Sequence, residues 1–162
     1  MMARIDAHEI EDITGYLESL GASWKSAAKQ GLYEGRAVLK KAVEDEINGM
    51  HTVTDRYYWG KMQPLYALRE TERQGLKDGL RIYKMEDTKN GVQVALGFEG
   101  VNENGVANAL VARSLVKGTS VQKPNKFTRR AFDGSIKKAT DAVISKIYSV
   151  TGKFKTYYKK KG

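Results

Sequence analysis

The only imidazoles in this 162-residue chain are His8 and His51, and cysteine is absent. A helical zinc hydrolase needs His-Glu-x-x-His, which places two ligands on one face with a glutamate base between them. His8-Glu9-Ile10-Glu11-Asp12 begins in that way but ends on Asp12, so His8 reads as a solvent-facing helix start. Without cysteine or a Gly-x-Ser-x-Gly elbow, covalent hydrolysis has no anchored nucleophile. Glu44, Asp45 and Glu46 are consecutive, and consecutive helical positions point in different directions, so they read as a solvated face rather than paired carboxylates. Lys117-Gly118-Thr119-Ser120 has P-loop residues in reversed order, with Pro124 ahead of the next helix. Gly97, Gly100 and Gly105 lack dinucleotide spacing. Asn102-Glu103-Asn104-Gly105 lacks the leading acid of a calcium loop, and Val111 stands where its closing glutamate belongs. No catalytic, metal or cofactor site is expected, and the chain reads as a non-enzyme.

What remains is charge. The net charge is +9 with a pI near 9.6, and it is unevenly placed. From Arg113 onward there are 14 Lys or Arg against only Asp133 and Asp141, whereas residues 1 to 112 carry 14 basic and 17 acidic side chains. Lys123, Lys126, Arg129, Arg130, Lys137 and Lys138 cluster around the start of a helix, and Tyr157 and Tyr158 lie between lysines in the tail. Such a mixture can contact phosphate and stack on bases. It can equally dock a basic face on an acidic one. No helix-turn-helix, zinc-finger or RNP pattern accompanies it, which favours a solvated or protein-docking face.

The elements that must position these charges follow from periodicity. Asp6 and Glu9 have capping-box spacing ahead of Ile10, Ile13, Leu17 and Leu20, which predicts a short amphipathic helix stopped by Gly21. Leu32, Leu39, Val43, Ile47 and Met50 mark a long helix from about 23 to 50, weakened near Gly31 and Gly35. Residues 51 to 74 read as a long irregular excursion, in which Pro64 opens a short helix through Arg73. It carries Tyr57-Tyr58-Trp59. Exposed, that trio is an anchor for a partner subunit; buried, it is core.

Leu80 to Glu86 and Val92 to Phe98 alternate as two strands, with Asn90-Gly91 supplying a tight hairpin turn. Ala107, Leu110, Val111 and Leu115 return to helical spacing until Gly118. Phe132, Ile136, Ala139, Val143, Ile147 and Val150 then mark a last long helix. The expected fold is α+β, one domain over residues 1 to 152. Two long helices pack on a small antiparallel sheet built around the hairpin at about 80 to 98, and residues 153 to 162 form a basic flexible tail. No window approaches the ~18 apolar residues of a membrane span, and the N-terminus has no apolar signal region.

Three stretches carry a family resemblance. Gln74-Gly75-Leu76-Lys77-Asp78-Gly79-Leu80 resembles a Thr-Gly-x-Leu-x-x-Ser-Ile element, with Gln74 and Gly79 in place of the threonine and serine. Val92-Gln93-Val94-Ala95-Leu96-Gly97-Phe98 is similar to a Val-x-Val-Gly strand. Ala107 to Ala131, with Gly118-Thr119-Ser120 and Phe127-Thr128-Arg129-Arg130-Ala131, is similar to a Tyr-Ala to Glu-x-Gly-Thr stretch followed by Pro-Phe-x-x-x-Ala. Lys117 stands where the family has an acid close by. Over residues 23 to 150 the chain thus resembles the tail-completion, or head-tail joining, proteins of tailed double-stranded-DNA phages.

The resemblance implies a structural virion protein of the phage neck, assembled in the host cytoplasm. It implies a hexameric ring between the head-closure ring and the tail terminator or tail tube, with double-stranded DNA passing through. Tyr57, Tyr58, Trp59, Lys117, Thr119, Phe127, Arg129 and Arg130 are the expected assembly surface. Lys123, Lys126, Lys153, Lys155, Lys159, Lys160 and Lys161 are expected to reach a neighbouring protein or the DNA channel. The alternative is a small nucleic-acid-binding protein acting through residues 123 to 162.

Overall fold

The glycine-bearing run Gln74-Gly75-Leu76-Lys77-Asp78-Gly79 is helical, although two glycines within six residues disfavour a helix by about 1 kcal/mol each. The computed structural model describes residues 3–6, 24–52, 68–89, 91–120 and 122–151. In chain order these form strand β1 (Ala3–Asp6), helix α1 (Trp24–Asn48), helix α2 (Glu70–Gly79), strands β2 (Leu80–Ile82), β3 (Glu86–Thr88) and β4 (Gly91–Phe98), and helices α3 (Asn108–Lys117) and α4 (Phe127–Thr151). The fold class is α+β. Both long helices and the hairpin fall where the apolar periodicity places them. Asp6, the expected helix cap, ends β1, and the rest of the helix expected up to Leu20, most of the 51-to-74 excursion, the Tyr57-Tyr58-Trp59 trio and the tail from residue 153 lie outside the described residues.

Helix α2 departs from expectation, because it begins after Pro64 and runs on to Gly79 instead of ending at Arg73. Its start is fixed by Glu72, whose carboxylate accepts the Arg69 backbone N–H at 2.9 Å. Glu70 and Glu72 also place negative charge at the positive end of the helix. Its middle is fixed by close approach. A β-carbon at Gly75 would lie 2.6 Å from Asn108 Oδ1 and 2.7 Å from Asn102 Cβ, and one at Gly79 would strike the Glu99 carbonyl oxygen. Glycine spacing of four puts both gaps on one face, and tertiary packing outweighs propensity.

Strand β4 is the centre of the sheet, with order β1-β4-β2 and β3 also on β4. The first arm of the hairpin is broken. Ile82 pairs with Leu96 and Glu86 with Gln93, so Tyr83-Lys84-Met85 stand opposite only Val94-Ala95. The extra residue is a bulge, which bends the strand and re-aims its side chains. At the far end Thr88 pairs with Gly91, so Gly91 already belongs to the strand.

The chain divides into two compact units, interleaved in sequence. The first (residues 40–83 and 96–134, with 1–3) holds one apolar cluster of Val43, Ile47, Leu76, Leu80, Leu115 and Phe127 with their neighbours. Arg73 closes the end of α1 there, donating to the Asn48 and Met50 carbonyls at 3.4 and 3.5 Å. The second unit (4–39, 84–95, 135–162) buries Ala27, Ala28, Leu32, Leu39, Val92, Val94, Ala139, Val143 and Ile147. Gly31 makes this possible: a β-carbon there would lie 2.9 Å from Ile147 Cγ1 and 3.0 Å from the Val143 carbonyl oxygen. The ion pairs Lys29–Asp87 and Lys146–Glu34, at 3.1 and 3.6 Å, are exposed and contribute little.

In α4 the buried positions are Phe127, Thr128, Ala131, Ser135, Ala139, Val143 and Ile147; all but Thr128 recur every four residues, a stripe that starts five residues before the expected one. Phe132 and Ile136 are only half-buried, and Val150 is exposed.

Replacing Gly79 by alanine in a helix would ordinarily gain about 1 kcal/mol. Here the carbonyl it meets is backbone that cannot swing away, so Gly79→Ala and Gly31→Val are each expected to lower stability by about 1–3 kcal/mol. Denaturant midpoints check this, and a gain in either variant would contradict the close approaches.

Candidate assembly surface

Helix α3 is the framework on which the basic stretch is mounted. Its buried face is Asn108, Val111, Ala112, Leu115 and Val116, the i, i+3, i+4, i+7, i+8 spacing of one helical side. Of the expected stripe, Val111 and Leu115 are buried while Ala107 and Leu110 are exposed, because the true stripe begins on a polar residue, Asn108. Asn108 earns its core place by bonding: its Nδ2 donates to the Glu99 carbonyl at 2.8 Å and its backbone N–H to the Gly100 carbonyl at 3.0 Å. Asn102 shapes the preceding turn, its Oδ1 accepting the N–H groups of Asn104 and Val106, each at 3.0 Å. Such Asx bonding is what asparagine does best in turns.

The C-terminal end of α3 is held just as firmly. Gly118 has φ +76°, and a β-carbon there would press within 2.9 Å of Gln122 and Pro124, which only glycine avoids. The Thr119 N–H donates to the Gln122 carbonyl at 2.8 Å, and the buried Asn125 donates its N–H to the Leu115 carbonyl at 2.7 Å. Phe127 then enters the core, its ring centroid 6.1 Å from that of Phe98 in a tilted pair.

These contacts sort the expected site residues. Phe127 is fully buried, so its expected place on the assembly surface is corrected: it anchors the loop from within. Arg130 is engaged with Glu46 through Nε at 3.1 Å and Nη2 at 2.6 Å, and Arg129 with Asp133 at 3.4 Å. Lys117, Thr119, Lys123 and Lys126 are exposed. The three lysines form no ion pair among the described residues, so a preorganised loop displays uncompensated positive charge.

Sequence reasoning missed an apolar corner at the other end of α3. Val101, Val106 and Leu110 are 63%, 38% and 55% exposed. They were hidden because two lie in a glycine-punctuated turn and the third was assigned to the buried stripe. Beside α3 lies a cleft of about 200 Å³ lined by Tyr83, Gly97, Phe98, Ala112, Arg113 and Thr128 among others. That is below the ~300 Å³ at which small-molecule pockets begin, and suits a single side chain. Gly97 makes room for the Tyr83 ring, since a β-carbon would lie 2.6 Å from Tyr83 Cε2. Partial burial, together with the charge and hydrogen-bond acceptance of the Glu99 carboxylate, raises the Tyr83 phenol above its ordinary value.

Among the described residues no group of acids and histidines is placed to hold a metal ion, and no helix is long and apolar enough to cross a membrane. No family model, curated protein or solved structure matches the chain.

Phe127→Ala is expected to cost about 3–5 kcal/mol, whereas Lys123→Ala and Lys126→Ala should stay within about 0.5 kcal/mol. Urea unfolding of the three variants separates the anchor from the display; equal losses would contradict the assignment. Because the fold favours the neutral Tyr83 phenol, its contribution is fully present below pH 10.0 and is lost as pH rises through the raised value. Glu99→Gln should bring the Tyr83 titration, read by ultraviolet absorbance against a Tyr83→Phe control, back toward the ordinary range.

Proposed function

We propose that this chain is a structural subunit of the neck of a tailed double-stranded-DNA phage, assembling as a hexameric ring that joins the head-completion proteins to the tail. The observation that carries the reading is the joint that residues 118–120 and 122–127 make between α3 and α4. Gly118, Asn125 and Phe127 hold its backbone, while Lys117, Lys123 and Lys126 are exposed and form no ion pair among the described residues. Preorganised display lowers the ordering cost of binding, and an exposed apolar corner on the same unit supplies area that charge alone does not. The residue resemblance at 74–80, 92–98 and 107–131 supports the same reading.

In this role the ring works by docking, with the head-closure protein on one side and the tail terminator or tube on the other. It is assembled in the host cytoplasm and resides in the virion neck. Double-stranded DNA passes through it, and the lysines of the joint tolerate that backbone without reading its sequence.

The alternative, a nucleic-acid-binding protein working in solution, draws on the exposed Lys123, Lys126, Lys137 and Lys138. Sedimentation and negative-stain imaging of the purified protein, beside duplex binding across a salt series, distinguish the two. Rings, with duplex binding negligible at about 100 mM salt, are the expected result. A monomer at every concentration that binds duplex with a steep salt slope would overturn the ring and favour the alternative.

A further inference from the structure

The two ends of α3 have opposite character, and both are tied rigidly to the helix. At the N-terminal end the turn bearing Glu99, Val101, Glu103 and Val106 is closed onto the helix by the Asn108 bonds to the Glu99 and Gly100 carbonyls. Leu110, in the first turn of α3 with its N–H on the Ala107 carbonyl at 3.0 Å, is exposed at the same end of the helix. Glu99 and Glu103 are exposed beside it. At the C-terminal end the Asn125 bond to the Leu115 carbonyl fixes the loop that presents Lys117, Lys123 and Lys126. Ten helical residues separate the ends, about 15 Å at 1.5 Å per residue.

We infer that the acidic, apolar end of α3 in one copy docks on the lysine-bearing end of α3 in the next copy, a head-to-tail contact between identical chains. This rests on the ring reading and names the surfaces that would build it. The occupant follows from charge complementarity: an acidic rim with an apolar centre matches a cationic loop that the same chain supplies at its other end. Pairing like ends would set Glu99 and Glu103 against their own copies, or lysines against lysines, and repulsion disfavours both. A contact between different surfaces of identical subunits propagates, closing into a ring when its rotation allows. The exposed Val101, Val106 and Leu110 supply attraction that survives salt, while the charges set orientation.

The test uses the full chain in two charge-reversed forms, E99K/E103K and K123E/K126E, with thermal melting to confirm that each keeps the fold. Alone, each form carries like charge at both ends and should sediment as a monomer, with association weakened at least tenfold. Mixed in equal amounts they should assemble again, because each then supplies the end that the other needs. Leu110→Ser in the otherwise native chain should also weaken assembly. If the native chain assembles but either reversed form alone assembles equally well, or folded forms fail to reassemble on mixing, the contact lies elsewhere and the ring reading stands. If the native chain never assembles, the ring reading itself fails and this contact with it.

Discussion

Two glycines let one helix touch backbone. At Gly75 the space of a β-carbon is taken by Asn108 and Asn102, and at Gly79 by the Glu99 carbonyl and Asn108 Nδ2. This approach fixes α2 against the turn that follows β4, and the remainder follows in order. Glu99 donates its N–H to the Gly79 carbonyl at 2.8 Å, Asn108 reaches back to the Glu99 and Gly100 carbonyls, and α3 therefore starts in one place. Its end, ten residues on, is where Gly118 and Asn125 mount the basic joint. A side chain at Gly79 would thus disturb a loop that it never touches.

The energies divide the labour between apolar and charged residues. Phe127, Leu76, Leu80 and Leu115 are almost wholly buried in one cluster, and each contributes about 1.5–3 kcal/mol by leaving water. The Arg130–Glu46 pair has good geometry, but with Arg130 51% exposed it contributes at most about 1 kcal/mol. The cations of the joint therefore add little to the fold. Their arrangement matters for what approaches from outside, where charge governs orientation and rate of encounter.

Much of this was legible in the residues. Leu32, Leu39, Val43, Ile47 and Met50 defined α1, and all are buried. The alternation from Val92 to Phe98 defined β4, since strand period and one-sided burial leave a strong pattern. What stayed hidden depended on partners distant in sequence. The expected helix ended at Arg73, short of Gly75 and Gly79, because propensity is local, while the asparagines that pack on these glycines lie some thirty residues away. The bulge at Tyr83-Lys84-Met85 is a matter of register, which a single strand does not encode. Phe127 read as surface because the loop before it is polar, yet that loop is folded so as to bury it. The exposed corner of Val101, Val106 and Leu110 was missed for the converse reason: apolar residues were assumed to face inward.

The most direct measurement is native-state hydrogen exchange at the Glu99 and Asn108 amides, which donate to the Gly79 and Gly100 carbonyls. If the glycine approach is the constraint on which α3 depends, both amides exchange only through global unfolding, as slowly as the core of α1. Exchange at the rate of an open turn, with the core of α1 still protected, would contradict it.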